Sequence, residues 1–231
     1  MRIAVVGSGI AGLGAAWALS REHEVTVFEA DARPGGHANT VEVDHGGRRT
    51  AVDTGFIVYN QRTYPQLIRL FDELGVATEE SNMSFAVSLG HGRLEYAGSP
   101  AGLFAQRRNL VRPGHWAMLR DVLRFYREAP ALLQLDADHP RVACSLGAFL
   151  QAERYGNSFV YEHLLPMAAA IWSCPIERML AFPVRSFVRF LDNHGLLLLR
   201  ARPQWRTVTG GSRAYVARIA APFAERLHCA T

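Results

Sequence analysis

Two short runs of β-branched residues flank one segment rich in alanine and leucine at the start of the chain. Arg2-Ile-Ala-Val-Val6 and Glu24-Val-Thr-Val-Phe-Glu29 read as strands, and Ile10–Arg21 between them reads as a helix. Together they have the size of a βαβ element, about 30 residues. Thr40–Val43 and Thr50–Asp53 flank His45-Gly46-Gly47, which predicts a hairpin beside that unit. Tyr64–Leu74 repeats apolar residues at helical spacing, with Leu67, Leu70, Phe71 and Leu74 on one face and Gly75 as the stop.

From about Glu80 the pattern changes. Phe85–Leu89 and Arg93–Tyr96, split by Gly90-His-Gly92, read as a second hairpin. Helical periodicity then dominates over His115–Leu135, Ser145–Tyr155, Ser158–Ile171 and Pro183–His194, with Gly195 as a helix-ending residue. Gly210-Gly211 precedes a last predicted helix, Ser212–Leu227. The expected organisation is therefore a nucleotide-binding unit over residues 1–79, a largely helical cap over 80–209, and a return helix over 210–231. Residues 1–75 supply only two parallel strands and a hairpin, too little sheet for a doubly wound domain. Further strands are thus expected beyond Thr231, and turnover by residues 1–231 alone is expected to be impaired or absent.

Composition narrows the function classes. With 49% hydrophobic and 20% charged residues the chain is globular rather than disordered. The 25 basic side chains exceed the 21 acidic ones by four and are spread along the chain, which argues against nucleic acid as a partner. The purely apolar runs, Leu196–Leu199 and Met167–Trp172 among them, are too short to span a bilayer. Cys144, Cys174 and Cys229 are odd in number and far apart, so neither a disulfide framework nor a CxxC metal site is expected, and a reducing, cytoplasmic compartment fits best.

Gly7-Ser8-Gly9-Ile10-Ala11-Gly12 is a GxGxxG fingerprint placed after a strand and opening a helix. Gly7 suits a tight turn, Gly9 lacks the Cβ that would block a pyrophosphate, and Gly12 lets helix and strand pack closely; Gly14 continues the small-residue face. The helix N-terminus offers unpaired N–H groups to phosphate oxygens. Glu29 ends the second strand, 17 residues after Gly12, where its carboxylate can accept from both ribose hydroxyls and would repel a 2′-phosphate. The fingerprint alone fits FAD and NAD equally.

The next segment separates them. Glu29-Ala30 is followed by Arg33-Pro34-Gly35-Gly36-His37 and later by Val52-Asp53-Thr54-Gly55, then by the Tyr64–Gly75 helix ending in Asp-Glu-Leu-Gly. This order resembles the flavin amine oxidase superfamily, which includes monoamine oxidases, protoporphyrinogen oxidase and phytoene desaturases. The resemblance is close over residues 1–76 and weaker afterwards. The run from Arg202-Pro-Gln-Trp205 to Gly210-Gly-Ser-Arg-Ala-Tyr215 looks most like a bacterial subgroup of NAD/FAD-binding proteins. The resemblance implies a Rossmann-like α/β domain with a helical inserted substrate domain, FAD as cofactor, and an FAD-dependent oxidoreductase acting on a small amine or apolar molecule. Carried over by position, FAD would meet Gly7, Ser8, Gly9, Ile10, Ala11, Gly12, Glu29, Ala30, Arg33, Gly35, Gly36, His37, Thr54, Gly55, Phe56 and Ile57, with Asp53–Ile57 along the isoalloxazine. The chain departs from the pattern at His37 and Asp31, where many members carry arginine, so diphosphate charge must be met by Arg33, backbone N–H groups and His37.

No residue announces itself as catalytic. Trp172, Phe182, Trp205 and Tyr215 are candidates for an aromatic pocket, with plain core packing the favoured reading; His163 and His194 are acid–base candidates without a neighbouring carboxylate or nucleophile at a recognisable spacing, so a structural role is favoured. Gly210-Gly211 is either a close-packed turn near the flavin or only a helix entry. Trp116, Arg120, Arg124 and Arg127 share a helix face behind Arg107-Arg108 and Arg112, which is either a solvated surface or a peripheral membrane contact. Two other readings stay open, a lipid or isoprenoid desaturase or isomerase and a non-catalytic nucleotide-binding module.

Overall fold

A computed structural model describes residues 1–231. β1 (Arg2–Val6) passes through a glycine turn into α1 (Ile10–Leu19), and β2 (Glu24–Phe28) returns parallel to β1 with Arg2 opposite Glu24 and Val6 opposite Phe28. β3 (Thr40–His45) and β4 (Arg48–Asp53) form an antiparallel hairpin. Its two-residue loop, Gly46-Gly47, has positive φ at both positions, the turn that matches strand twist. β5 (Tyr59–Asn60), α2 (Pro65–Glu73) and β6 (Thr78–Ser81) follow, then a hairpin of β7 (Ala86–Leu89) and β8 (Leu94–Ala97). The helices α3 (Pro113–Glu128), α4 (Leu146–Ala152), α5 (Asn157–Phe159), α6 (Leu165–Trp172), α7 (Ile176–Ala181) and α8 (Val184–Asn193) come next. The chain finishes with β9 (Trp205–Val208), α9 (Arg213–Ala220) and β10 (Leu227–His228). No helix is long and apolar enough to cross a membrane. Residues gather into two compact units, 1–83 with 204–231 and 84–203, each with its own apolar cluster.

In the first unit β10 pairs parallel with β2, giving a three-stranded parallel sheet in the order β1-β2-β10. Val25 and Val27 of the central strand are fully buried, as are Leu13 and Ala16 of α1 and Ile219 of α9. A second sheet, absent from the sequence reading, has the order β5-β9-β6, with Thr78 opposite Val208 and Ser81 opposite Trp205. The predicted helix Ser212–Leu227 is corrected. The regular α-helix stops after Ala220 because Pro222 has no N–H and its ring crowds the preceding turn; the chain continues in 3₁₀ geometry over Ala221–Arg226, kinked at Phe223 with φ −134°, and Leu227 enters the sheet. Gly75 ends α2 as expected, with Gly75 N–H to Asp72 O at 3.1 Å and Val76 N–H to Phe71 O at 2.8 Å, a Schellman closure.

The second unit is helical apart from its hairpin. Pro130 ends α3 in a 3₁₀ turn, so the predicted His115–Leu135 helix is regular only to Glu128. α4 is capped by Ser145, the first residue of the predicted helix, whose hydroxyl accepts from Ala148 N–H at 3.2 Å, but it stops three residues before Tyr155. Arg154 takes φ +54° there, a left-handed ending with no glycine to signal it.

The predicted Ser158–Ile171 helix contains a π turn at Val160–Leu164. Pro166 explains the irregularity. An α-helix would pair the Glu162 carbonyl with the amide of residue 166, and proline has none. The Tyr96 hydroxyl donates to that freed carbonyl at 2.7 Å. With its one proton committed, Tyr96 Oη accepts from His163 Nδ1–H at 2.9 Å. Tyr96 is 3% exposed, so neither partner has water to turn to. Tyr96→Phe leaves a carbonyl and a ring N–H unpaired in the core, and urea unfolding should show a loss of about 1–3 kcal/mol. A loss below about 0.5 kcal/mol would contradict this account.

Candidate functional site

The glycine turn between β1 and α1 is built by two different demands. Gly7 has φ +92° and donates its N–H to Phe28 O at 2.7 Å, locking the turn to β2. A Cβ on Gly12 would lie 1.9 Å from Gly7 O, so the helix can leave the strand at this angle only if residue 12 has no side chain. Gly9 is unlike both: its φ of −64° suits any residue, and a Cβ there would meet nothing within 4 Å. Protein packing does not require glycine at this position, and the space before it is open. The first-turn amides of α1 face the same end without any side-chain cap. Gly14 also has open space, so packing within the chain does not require glycine there.

A second glycine pair closes on the first. Gly35 N–H donates to Ser8 O at 2.9 Å, Gly9 and Gly35 form a parallel bridge, and a Cβ on Gly36 would stand 3.2 Å from Gly9 Cα. Gly35 has φ +111°, and a Cβ there would sit 2.6 Å from Ala38 O. Arg33 donates to Gly36 O at 2.9 Å, so its guanidinium holds the loop, while His37 is exposed. At the end of β2, Glu29 accepts from Ser8 N–H at 2.7 Å, from the Ser8 hydroxyl, and from Asp31 N–H at 2.9 Å. These donors, the Asp31 amide first and Ser8 next, hold the carboxyl down at about 2, so Glu29 carries a full negative charge beside the glycine pair. Val6, Ile10 and Ile57 remain 87%, 43% and 53% exposed, so the neighbouring apolar side chains are uncovered.

Residues 53–57 do more structural work than their sequence suggested. Asp53 accepts from Thr40 Oγ1 at 2.5 Å, Ser212 Oγ at 2.8 Å and Ser212 N–H at 2.9 Å, so its carboxylate clamps the hairpin to the N-terminus of α9. Gly211 has φ +88°, and a Cβ on it would strike Thr40 Cγ2 at 2.5 Å, so Gly211 is close-packed, while Gly210, at φ +80°, has open space around it. A Cβ on Gly55 would lie 2.0 Å from His37 O, and Phe56 N–H donates to that same oxygen at 3.1 Å. Gly55 therefore fixes where the second glycine loop runs. The Thr40–Ser212 partnership escaped the sequence, since the residues stand 172 positions apart.

The remaining candidates separate. Tyr215 is core, 1% exposed with its ring 5.1 Å from Phe71, and Trp205 is 9% exposed on β9. Trp172 and Phe182 meet at 5.8 Å within a cluster that includes Phe190 at 4.4 Å from Trp172. His194 stacks on Phe190 at 4.0 Å. His163 is 8% exposed; burial, with a smaller contribution from the Arg202 charge, pushes it down to about 4.

Residues 5–74 match the model of the NAD(P)-binding Rossmann-like domain. Among solved structures the chain is similar to putrescine oxidase bound to putrescine, with 21% identity and a TM-score of 0.67 over 99% of this chain and 51% of that one. It is similar to cyclohexylamine oxidase from Brevibacterium oxydans, with 18% identity and a TM-score of 0.64 over 98% and 50%. An oxidoreductase from Methanosarcina mazei gives 15% and 0.59 over 100% and 51%. The chain spans about half the length of each. Its fold is thus the Rossmann-like α/β fold with a helical insertion, and the similarity in fold covers nearly the whole chain.

Two outcomes follow from this geometry. Gly12→Ala should fail to fold or lose several kcal/mol, whereas Gly9→Ala should stay within about 0.5 kcal/mol of the parent in thermal unfolding; equal losses would mean that the turn is not built as described. His163 stays neutral in the folded chain down to about pH 4, while in the unfolded chain it takes up its proton near 6.5. Its contribution is complete above about pH 6.5 and is lost as pH falls toward 4. Over that window stability should fall by up to about 1.4 kcal/mol per pH unit from this group, and His163→Gln should flatten the slope in denaturant titrations.

Proposed function

We propose that the chain is the dinucleotide-holding part of an FAD-dependent oxidoreductase of the flavin amine oxidase superfamily. The observation that carries this is Gly9: a glycine that packing does not require, facing open space, between uncapped helix amides and a second glycine pair. Pyrophosphate chemistry asks for that surface, because N–H groups can approach both phosphates where no Cβ intervenes. Glu29 is the ribose acceptor, already ionised and oriented by Ser8, so hydroxyls meet a fixed carboxylate and a 2′-phosphate is repelled. The Gly35-Gly36 approach to Gly9 favours FAD over a nicotinamide cofactor, since it supplies a second backbone surface to the same diphosphate.

Bound flavin would supply two-electron acceptance from a substrate. The chain's own contribution is to hold and orient: α1 amides at the diphosphate, Glu29 at the ribose, and Thr54, Gly55, Phe56 and Ile57 along the route toward the ring. Arg33 props the loop through Gly36 O, leaving backbone N–H groups and the exposed His37 to meet phosphate charge. The substrate class is a small amine or apolar molecule; a lipid desaturase or isomerase would use the same cofactor half. A non-catalytic nucleotide-binding module is the reading from another class.

FAD mixed with the protein should stay with it through gel filtration, giving a yellow protein fraction whose flavin absorbance bleaches with dithionite. Gly9→Val should abolish that binding while leaving the melting temperature near that of the parent, and Glu29→Ala should weaken it by about tenfold or more. A stably folded Gly9→Val protein that still binds FAD like the parent would place the pocket elsewhere. Failure of the full-length protein to take up FAD would end the flavoenzyme reading.

A further inference from the structure

The positive charge of the helical unit is concentrated in one stretch. Residues 84–203 carry fourteen arginines and nine acidic residues, while residues 107–127 alone carry six arginines and one aspartate, so the whole excess of five lies there. That aspartate, Asp121, is 3% exposed and accepts Gly156 N–H at 2.9 Å. Arg124 also turns inward, over the Tyr155 ring at 3.8 Å and onto Glu153 O at 3.1 Å, which removes it from the stripe read in the sequence. The surface that remains joins the Arg107–Val111 3₁₀ turn to the face of α3 formed by Arg112, Trp116, Arg120, Leu123 and Arg127, spaced at i, i+4, i+8, i+11 and i+15.

Where the turn meets the hairpin, Arg93, Arg108, Arg112 and Val111 line an open basin of about 340 Å³. Glu162 takes Arg112 at 2.7 Å and Arg93 at 3.7 Å, one carboxylate for two guanidiniums. Arg108 donates only to the Gly92 carbonyl and the Gln106 side-chain oxygen. The basin is therefore left cationic. Interleaved with the arginines, Leu110, Val111, Trp116 and Leu123 are 51%, 83%, 50% and 53% exposed. Trp116 is fixed in place, its indole N–H donating to Leu110 O at 2.9 Å and its ring 5.3 Å from Phe104.

We propose that this face docks on an anionic phospholipid bilayer, with the basin taking a lipid phosphate and the exposed apolar side chains entering the headgroup boundary. Guanidiniums gain from surface phosphates, and a tryptophan among aliphatic side chains suits the interfacial layer. Nucleic acid or an acidic protein surface would use the arginines alike but would leave Val111 and Leu123 in water, which is why the bilayer is favoured. The inference does not depend on flavin binding.

Co-sedimentation with vesicles of phosphatidylcholine, with and without phosphatidylglycerol, tests it. The protein should pellet with the mixed vesicles only, and raised salt should release it. Arg107→Glu with Arg108→Glu should weaken binding by at least about tenfold, and Val111→Ser should weaken it severalfold, with melting temperatures unchanged. Arg48→Glu with Arg49→Glu, on the exposed hairpin of the other unit, should leave vesicle binding intact. Equal binding to pure phosphatidylcholine, no binding at all, or equal losses in both arginine pairs would overturn the proposal. So would binding to short duplex DNA or polyglutamate as tight as to the mixed vesicles.

Discussion

The nucleotide-binding unit depends on one van der Waals contact, that of Gly12 with the carbonyl of Gly7. With no Cβ at position 12, α1 can leave β1 at an angle that keeps its first turn over the strand end. That angle aims the uncapped amides outward and puts Gly9 in front of them, open to solvent. It also brings Ser8 to the end of β2, where its amide and hydroxyl orient Glu29. A single close approach therefore sets both the uncapped α1 amides and the position of the Glu29 carboxylate, the groups proposed to meet phosphate and ribose.

The glycines of the site divide by cause. Gly12, Gly55 and Gly211 are required by the chain itself, since a side chain on each would collide with Gly7 O, His37 O or Thr40. Gly9 is required by nothing in the chain. That contrast is more informative than the count of glycines in a motif, because it separates glycines the fold demands from one it does not. Asp53 belongs with the first group: its carboxylate is occupied by Thr40 and Ser212, tying the hairpin to α9 and thereby setting the path on which Thr54–Ile57 run.

Much of the fold was legible. Gly46-Gly47 announced a hairpin loop, Gly75 and Gly195 announced helix ends, and all three occur as read because each depends on local backbone conformation. Pro130, Pro166 and Pro222 interrupt three of the predicted helices, and other departures come where no local signal exists. Arg154 ends α4 in a left-handed conformation without glycine, and the π turn before Pro166 is stable because Tyr96, far off in sequence, takes the freed carbonyl. β5, β9 and β6 are too short and mixed to read as strands alone, yet pairing between segments well over a hundred residues apart makes them a sheet.

Sequence by itself determined the strand–turn–helix–strand start, the acidic end of β2 and the second glycine pair, because turn chemistry and hydrophobic period act over a few residues. Tertiary structure decided which contacts those residues make. Only the folded chain places Gly35 against Gly9, spends Asp53 on Ser212, buries Tyr215 and His163, and leaves Gly9 facing empty space. The reason is that contact, burial and vacancy are properties of chain segments brought together, and no spacing along one segment encodes which partner will arrive.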